Sequence, residues 1–428
     1  MSRASAERRR GAGSRIGRPL KIILGLLFVL LVLVILNAFA LNNETKSAHL
    51  NVPGAELVQT TSGPLQVLDT GSSPSQPTGS LPIVLIHGSA GAINWWDELI
   101  PRLKPDHRVI AIDLLGYGGS EKPDSDYSIE TQAGLVAQVL AKLRVTQAVL
   151  VGHSLGGNVV TSVAEQAPDL VAGLVLIDSG PDNSGGLSGS ASAARTPLLG
   201  QALWRIAPDS VIRENVSQGF APGYDVPDKY VEDVREMTYP AYSKSAEEGE
   251  AFKDDRTLPD RLTTVAKPLL VIFGEEDQIY DAREALSAYA AVPGARTHLI
   301  LGSGHSPQVE APDQTAKSII GFARGIAAAQ AADDAAAAKA RVKAAKEKAR
   351  AARQAANSKV QQARKRAKKA RNKANRDKST RSPNKTSGAQ SGGTQNSGGQ
   401  SGNGAVAKSR TESPENWKPT RSGAGTGN

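Results

Sequence analysis

The chain has 428 residues, a net charge of +9 and no cysteine, which excludes disulfides, thiolate metal sites and a cysteine nucleophile. The charge is unevenly placed: residues 1–21 carry +6 and residues 339–428 carry +19, leaving −16 on the residues between. The length leaves room for a large core and predicts about two to three domains.

Residues 1–21, with Arg8, Arg9 and Arg10, show no apolar periodicity and are expected to be a disordered cytoplasmic segment. Ile22–Leu41 follows, an apolar run whose only polar member is Asn37. As a helix it would span roughly 30 Å, the thickness of a bilayer core. The basic flank before it and Asn42-Asn43-Glu44 after it place the N-terminus in the cytoplasm and the rest of the chain outside, by the positive-inside rule. Ala38-Phe39-Ala40 also has the small-x-small form of a cleavage site. The run therefore reads as a single-pass anchor, which its length favours, or as a signal cleaved after Ala40 that releases the protein.

Residues 42–55 read as a polar linker. Glu56–Thr61 and Pro64–Thr70, joined through Ser62-Gly63, read as a β-hairpin. After a Gly/Ser/Pro loop at 71–80, short apolar runs read as strands at Pro82–His87, Arg108–Asp113, Gln147–Val151 and Leu174–Asp178, with helices such as Ile129–Leu143 and Asn158–Gln166 among them. The alternation predicts an α/β fold, a mostly parallel sheet flanked by helices. It breaks over 181–262, where aromatic residues scatter without a clear strand, and resumes at Pro268–Gly274 and His298–Leu301, with a helix at about Thr315–Ala327. The expected organisation is a core of 56–180 and 263–327 carrying a cap insertion, 181–262, over the carboxyl ends of the strands, where open α/β sheets bind ligands. Residues 328–380 are rich in Ala, Lys and Arg with no apolar face and predict a solvated basic helix. The Ser/Gly/Asn/Gln-rich 381–428 predicts disorder.

The chemistry concentrates at Val151-Gly152-His153-Ser154-Leu155-Gly156-Gly157, a Gly-x-Ser-x-Gly string between a strand and a helix. That context lets the chain close sharply around residue 154, exposing its hydroxyl and aiming the Leu155 N–H at a developing oxyanion. A serine hydroxyl needs a base, and the base a carboxylate. His305, in Gly302-Ser303-Gly304-His305-Ser306-Pro307, and Asp277, in Phe273-Gly274-Glu275-Glu276-Asp277-Gln278, each follow a predicted strand. Glu276, one residue off, and Asp178, ending the preceding strand, are alternative acids. Gly88 would turn the 86–91 loop inward and present the Ser89 N–H as a second oxyanion donor, with His87 packing beneath it. Trp95 and Trp96 read equally as core or as substrate wall.

His87-Gly88 with Trp95, Asp113-Leu114-Leu115-Gly116-Tyr117-Gly118-Gly119-Ser120, Gly152-His153-Ser154-Leu155-Gly156-Gly157, Gly274-x-x-Asp277 and Gly304-His305-Ser306-Pro307 together resemble the α/β-hydrolase superfamily, in its capped esterase, haloperoxidase-like and C–C hydrolase branch. The resemblance covers about residues 56–327 and includes the chain order Ser, Asp, His. It implies the α/β-hydrolase fold with a cap. It also implies acyl transfer to Ser154, an oxyanion held by the Ser89 and Leu155 amides, and hydrolysis by water activated through His305, with no metal or organic cofactor. Serine rather than aspartate at 154 argues against epoxide-hydrolase and haloalkane-dehalogenase chemistry.

The expected substrate is a small apolar ester or acyl compound; cleavage of a C–C bond by the same residues is the alternative. A non-catalytic envelope scaffold that binds a polyanion through its basic tail is the rival from another class. With the tail outside the cytoplasm, an anionic membrane surface or cell-wall polymer is its expected partner, and nucleic acid is not.

Overall fold

The computed structural model describes residues 18–186, 196 and 198–379. Eight strands form one sheet: β1 Glu56–Thr60, β2 Gly63–Asp69, β3 Ile83–Ile86, β4 Val109–Ile112, β5 Ala148–His153, β6 Val171–Ile177, β7 Leu269–Gly274 and β8 Arg296–Ile300. Their spatial order is β1-β2-β4-β3-β5-β6-β7-β8. The β1–β2 and β2–β4 pairs are antiparallel, and all pairs from β4 to β8 are parallel.

The inner strands are continuous apolar runs because helices cover both faces of the sheet. Val84, Ile86, Leu150, Leu174, Leu176 and Val271 pack on one side against helices Ile129–Lys142, Leu155–Gln166 and Ala282–Ala290. Their neighbours in sequence, Ile83, Leu85, Val149, Val151, Val175 and Ile272, pack on the other against Ile93, Trp96 and the start of helix Pro312–Ser379. That helix offers Ala316, Ile319, Ala323 and Ile326, the spacing of one buried helical stripe. Because the central strands run parallel, the residues following β3, β5, β6, β7 and β8 gather at one edge of the sheet.

Between β6 and β7 the chain leaves the sheet to form the cap, with helices Leu199–Trp204, Asp209–Ser217, Asp228–Glu236, Tyr239–Asp255 and Leu258–Val265. Thr238 and Thr257 start the last two, accepting from the Ala241 and Asp260 N–H groups. Arg261 ties the end of the cap to the core. It is buried and donates to both Glu165 carboxylate oxygens, at 3.2 and 3.1 Å, to Asp255 Oδ2 at 2.7 Å and to the Phe252 carbonyl at 3.0 Å. Arg261→Ala is expected to lower the unfolding free energy by about 3 kcal/mol, because Glu165 is then left part-buried with Arg256 alone. Chemical denaturation checks this; an unchanged midpoint would remove Arg261 from the account of cap docking.

The structure corrects several expected boundaries. Residues 18–21, expected as disordered, open helix Arg18–Asn42, with Pro19 at a position where its fixed φ favours helix initiation; residues 1–17 lie outside the described residues. The expected linker at 42–55 is bonded to the core: the His49 N–H reaches the Gly119 carbonyl at 2.9 Å, and Asn51 N–H reaches Gln66 Oε1 at 2.9 Å. β6 begins at Val171 rather than Leu174, because Gly173 is a packing site for Ile326 and Phe322 and not a turn. The helix expected to end at Ala327 continues, since Ala, Lys and Arg replace its apolar stripe without a breaker. The described residues up to 343 form one compact unit and those from 344 on belong to another; in the second, residues 344–379 are helical, with exposed side chains through 378. The expected disorder of 381–428 lies outside the described residues.

By length and composition, helix Arg18–Asn42 can cross a membrane, a property that a signal sequence shares.

Candidate active site

Ser154 stands between β5 and helix Leu155–Gln166 at φ 49°, ψ −118°, a conformation that costs a non-glycine residue about 1–3 kcal/mol. The surrounding backbone holds it there: the Ser154 N–H donates to the Ile177 carbonyl and its carbonyl accepts from Gly157 N–H, each at 2.9 Å. Two glycines permit the turn through close approach. A Cβ on Gly152 would lie 2.3 Å from the Gly156 oxygen, and one on Gly156 would lie 2.2 Å from the Ile86 oxygen.

Asp277 and His305, from the turns after β7 and β8, meet: His305 Nδ1 and Asp277 Oδ2 are 2.8 Å apart, with both side chains nearly inaccessible. Asp277 Oδ1 accepts from the Ile279 and Tyr280 N–H groups at 2.7 and 3.2 Å. Burial alone would raise the Asp277 carboxyl, but His305 and these hydrogen bonds outweigh it and hold the group below the usual carboxylate range. Glu276 is exposed, and it is Asp277 that meets His305.

Asp178 occupies the end of β6 at φ 43° and accepts from the Gly274 N–H at 2.9 Å. Complete burial, then the charge of Asp277, pushes its carboxyl well above the ordinary range, opposite in direction to the shift of Asp277. Asp178, Asp277 and His305 are the one trio among the described residues whose ligating atoms lie within 4.8 Å of one another. A cation there would have to break the 2.8 Å bond between His305 Nδ1 and Asp277 Oδ2.

Ser154 and His305 line one cavity of about 1230 Å³ beneath the cap. Ser89 and Leu155 line it as well. Leu155 opens its helix, where N–H groups have no intrahelical acceptor and the positive end of the helix dipole faces Ser154. His87 is structural: its Nε2 accepts from Leu114 N–H at 3.0 Å, so Nδ1 carries the proton that reaches the Gly88 carbonyl at 2.8 Å. Asp113 steadies the same loop, accepting from Ile93 and Gly119 N–H groups at 2.7 and 2.8 Å.

Three features escaped the sequence. His153, inside the elbow, donates from Nε2 to the His305 carbonyl at 2.8 Å and so ties the two turns together. Burial and the neighbouring His305 push its pKa down to about 3, so it is a neutral strut. Tyr280 stacks on His305 with ring centroids 6.1 Å apart, and its hydroxyl accepts from Lys253 Nζ at 3.0 Å. Its place three residues after Asp277 was the available signal. The two tryptophans divide: Trp96 is core, whereas Trp95 lines the cavity and donates from Nε1 to Asp233 Oδ2 at 3.0 Å.

Asp233 is a cap residue that also accepts from Asn94 Nδ2 at 2.9 Å, and burial pushes its pKa up to about 7. The folded state therefore holds this proton more tightly than the unfolded chain. The associated stability is full below about pH 4 and is lost as pH rises through about 7. Between pH 5 and pH 8 the native protein is expected to lose about 2–3 kcal/mol more than Asp233→Asn, at about 1.4 kcal/mol per pKa unit. Denaturation midpoints of both proteins at the two pH values check this, and parallel losses would contradict it.

Comparison with known proteins agrees with this fold. Residues 82–312 match the family model described as the alpha/beta hydrolase fold. An uncharacterised protein of Mycobacterium tuberculosis is 31% identical over 245 residues, covering 53% of this chain and 70% of the relative. The 2-hydroxymuconate semialdehyde hydrolase of Pseudomonas sp. (strain CF600) is also 31% identical over 245 residues, covering 54% of this chain and 82% of the relative. Among solved structures, a thermophilic esterase from Thermogutta terrifontis superposes with a TM-score of 0.52 at 24% identity, covering 64% of this chain and 98% of that one. With a mostly parallel sheet, an inserted cap and a family match over more than half its length, this chain belongs to the α/β-hydrolase fold family and is a hydrolase of it.

Proposed function

We propose that the protein is a serine hydrolase that cleaves an ester or related acyl bond, held at the membrane by Arg18–Asn42 with its catalytic domain outside the cytoplasm. The observation that carries the reading is the 2.8 Å bond between His305 Nδ1 and Asp277 Oδ2, facing the same cavity as the strained Ser154. Asp277 fixes the tautomer that leaves His305 Nε2 free to take the Ser154 proton. Attack by Oγ on the acyl carbon gives a tetrahedral oxyanion, stabilised by the Ser89 and Leu155 N–H groups. His305 then protonates the departing alkoxide, and the same base activates water to release the acid from Ser154. His305 and Asp277 perform both half-reactions, so no cofactor enters the cycle.

C–C bond hydrolysis is the second reading, supported by the similarity to 2-hydroxymuconate semialdehyde hydrolase. For the basic segment 339–428 we propose an electrostatic contact with an anionic membrane surface or wall polymer, which added salt would weaken. Binding to such polymers that is indifferent to salt would count against it.

The test is the full-length protein with a fluorophosphonate probe and a panel of p-nitrophenyl esters, beside Ser154→Ala. Labelling and turnover should both vanish in Ser154→Ala, by about 10⁴-fold or more in rate. Labelling without ester turnover would favour the C–C reading. A folded protein that takes no label would sink the enzyme mechanism and leave the scaffold reading.

A further inference from the structure

The cavity and the apolar N-terminal helix are joined by structure. The last turns of helix Arg18–Asn42 are docked: Ala38 is buried and Leu41 is 0% exposed, while Leu20 to Leu36 remain bare over most of their length. Asn37 Nδ2 donates to the Gln201 carbonyl, and Gln201 Nε2 donates to Asn42 Oδ1, each at 3.0 Å. The helix therefore ends against cap helix Leu199–Trp204. Two residues later, Glu44 lines the cavity that contains Ser154, and Lys46 lines it too. A chain advances at most ~3.6 Å per residue, so Glu44 lies within about 7 Å of the helix end.

The cap surface at this junction is apolar and uncovered. Leu198, Leu199, Leu203 and Val211 are exposed, and Ile206 is 72% exposed. Leu203, Ile206 and Val211 also line the cavity. Apart from the N-terminal helix itself, Leu50, Leu301 and two valines of the basic helix, these five are all the exposed large hydrophobic residues among the described ones. Clustering of this kind marks an interaction surface rather than the ordinary scatter of apolar side chains.

We infer that this cap rim seats in the outer face of the bilayer that the helix crosses, so that the cavity opens onto lipid and takes its acyl substrate sideways from the membrane. The inference rests on reading Arg18–Asn42 as an anchor and deepens the proposed hydrolase function by assigning membrane-resident acyl lipids as the substrate class. An interfacial surface is buried about 5–10 Å into the headgroup boundary. The docked turns, from Asn37 to Leu41, are the last ~6 Å of the span, the depth at which such a rim would lie. Arg205, exposed beside Ile206 and paired with Glu44 at 3.5 Å, can reach lipid phosphates from the same rim.

The chain has no cysteine, so single labels can be placed without background. Full-length Leu199→Cys, Ile206→Cys, Leu31→Cys and Thr78→Cys, each carrying an NBD fluorophore, would be reconstituted in phosphatidylcholine/phosphatidylglycerol vesicles containing doxyl lipids. Thr78 is exposed in the loop entering β3, at the opposite end of the sheet from the cavity. Labels at 199 and 206 should be quenched by shallow doxyl lipids and protected from aqueous iodide by about threefold relative to 78, as expected for side chains at the headgroup boundary. Quenching at 31 with 206 and 199 as open to iodide as 78 would overturn the rim proposal and leave the anchor standing. No lipid quenching at 31 would remove the anchor, and the proposal with it.

A second readout follows the substrate. Leu198→Asp combined with Leu199→Asp should lower the ratio of vesicle-embedded long-chain 4-methylumbelliferyl ester turnover to soluble acetate ester turnover by about tenfold, the worth of roughly one buried leucine. An unchanged ratio would overturn entry from the bilayer. Turnover of neither ester contradicts the ester-hydrolase reading itself, while quenching still decides the surface.

Discussion

Asp277→Asn is expected to lower kcat by about 10⁴-fold with little loss of stability, because the amide keeps the shape of the side chain but cannot hold His305 in the required tautomer. The same substitution at Asp178 should cost about tenfold or less, since burial and the charge of Asp277 push its carboxyl up towards the uncharged form, and its bond is to the Gly274 N–H and not to His305. The pH profiles separate the two roles. Asp277, held below the usual carboxylate range by His305, stays charged wherever His305 can act as the base, so its own titration should add no step to the acid limb of the native profile. Ester turnover and the second-order rate of fluorophosphonate labelling, each measured against pH, give the comparison. Equal losses in the two variants would mean that the buried carboxyls act as one unit, and the assignment of the acid to Asp277 alone would fall.

Gly156→Ala should be a severely damaging single-methyl change at the site. The added Cβ would lie 2.2 Å from the Ile86 oxygen and 2.7 Å from the His87 oxygen, both backbone atoms at the end of β3. Neither can rotate away, so relief requires moving the elbow off the sheet or breaking the β3–β5 pairing between Ile86 and Gly152. A stability loss of about 3–5 kcal/mol is expected, with the Ser154 and Ser89 turns displaced together. Thermal melting of the full-length protein and the rate of probe labelling both report it. Gly325→Ala, in a helix where no contact tighter than 3.9 Å awaits the methyl, is the control and should melt at or slightly above the native temperature. A normal melt and normal labelling for Gly156→Ala would show that the strand and helix can part more readily than their contacts imply.

Much of the fold could be read in the chain because its signals are local. β3, β4, β5 and β7 are apolar runs bounded by polar turns, so the runs at 82–87, 108–113, 147–151 and 268–274 located them to within two residues. Ser154 was legible for the same reason: a Gly-x-Ser-x-Gly string between a strand and a helix states its own geometry. The relation of Asp277 to His305 was legible only as an order along the chain; that His305 meets Asp277 and not Glu276 or Asp178 depended on which side chain the β7 turn directs inward. β6 was read short at its start because Gly173 looks like a turn until Ile326, from a helix 153 residues away, is seen to pack on it.

The residues alone therefore determined the class of fold, through the alternation of strands and helices along the chain, and the strand–turn–helix around Ser154 and the apolar N-terminal run, each written in a stretch of no more than about twenty residues where periodicity and composition act. Tertiary structure alone decided which carboxyl meets His305 and in which direction each is shifted, since desolvation and neighbouring charge are properties of a buried place and not of a residue type. It also decided that His153 is a strut, that Trp95 lines the cavity while Trp96 fills the core, and that the cap closes on the end of the N-terminal helix through Asn37 and Gln201. Those contacts join residues 152 and 164 positions apart, a separation over which no sequence pattern carries information about distance.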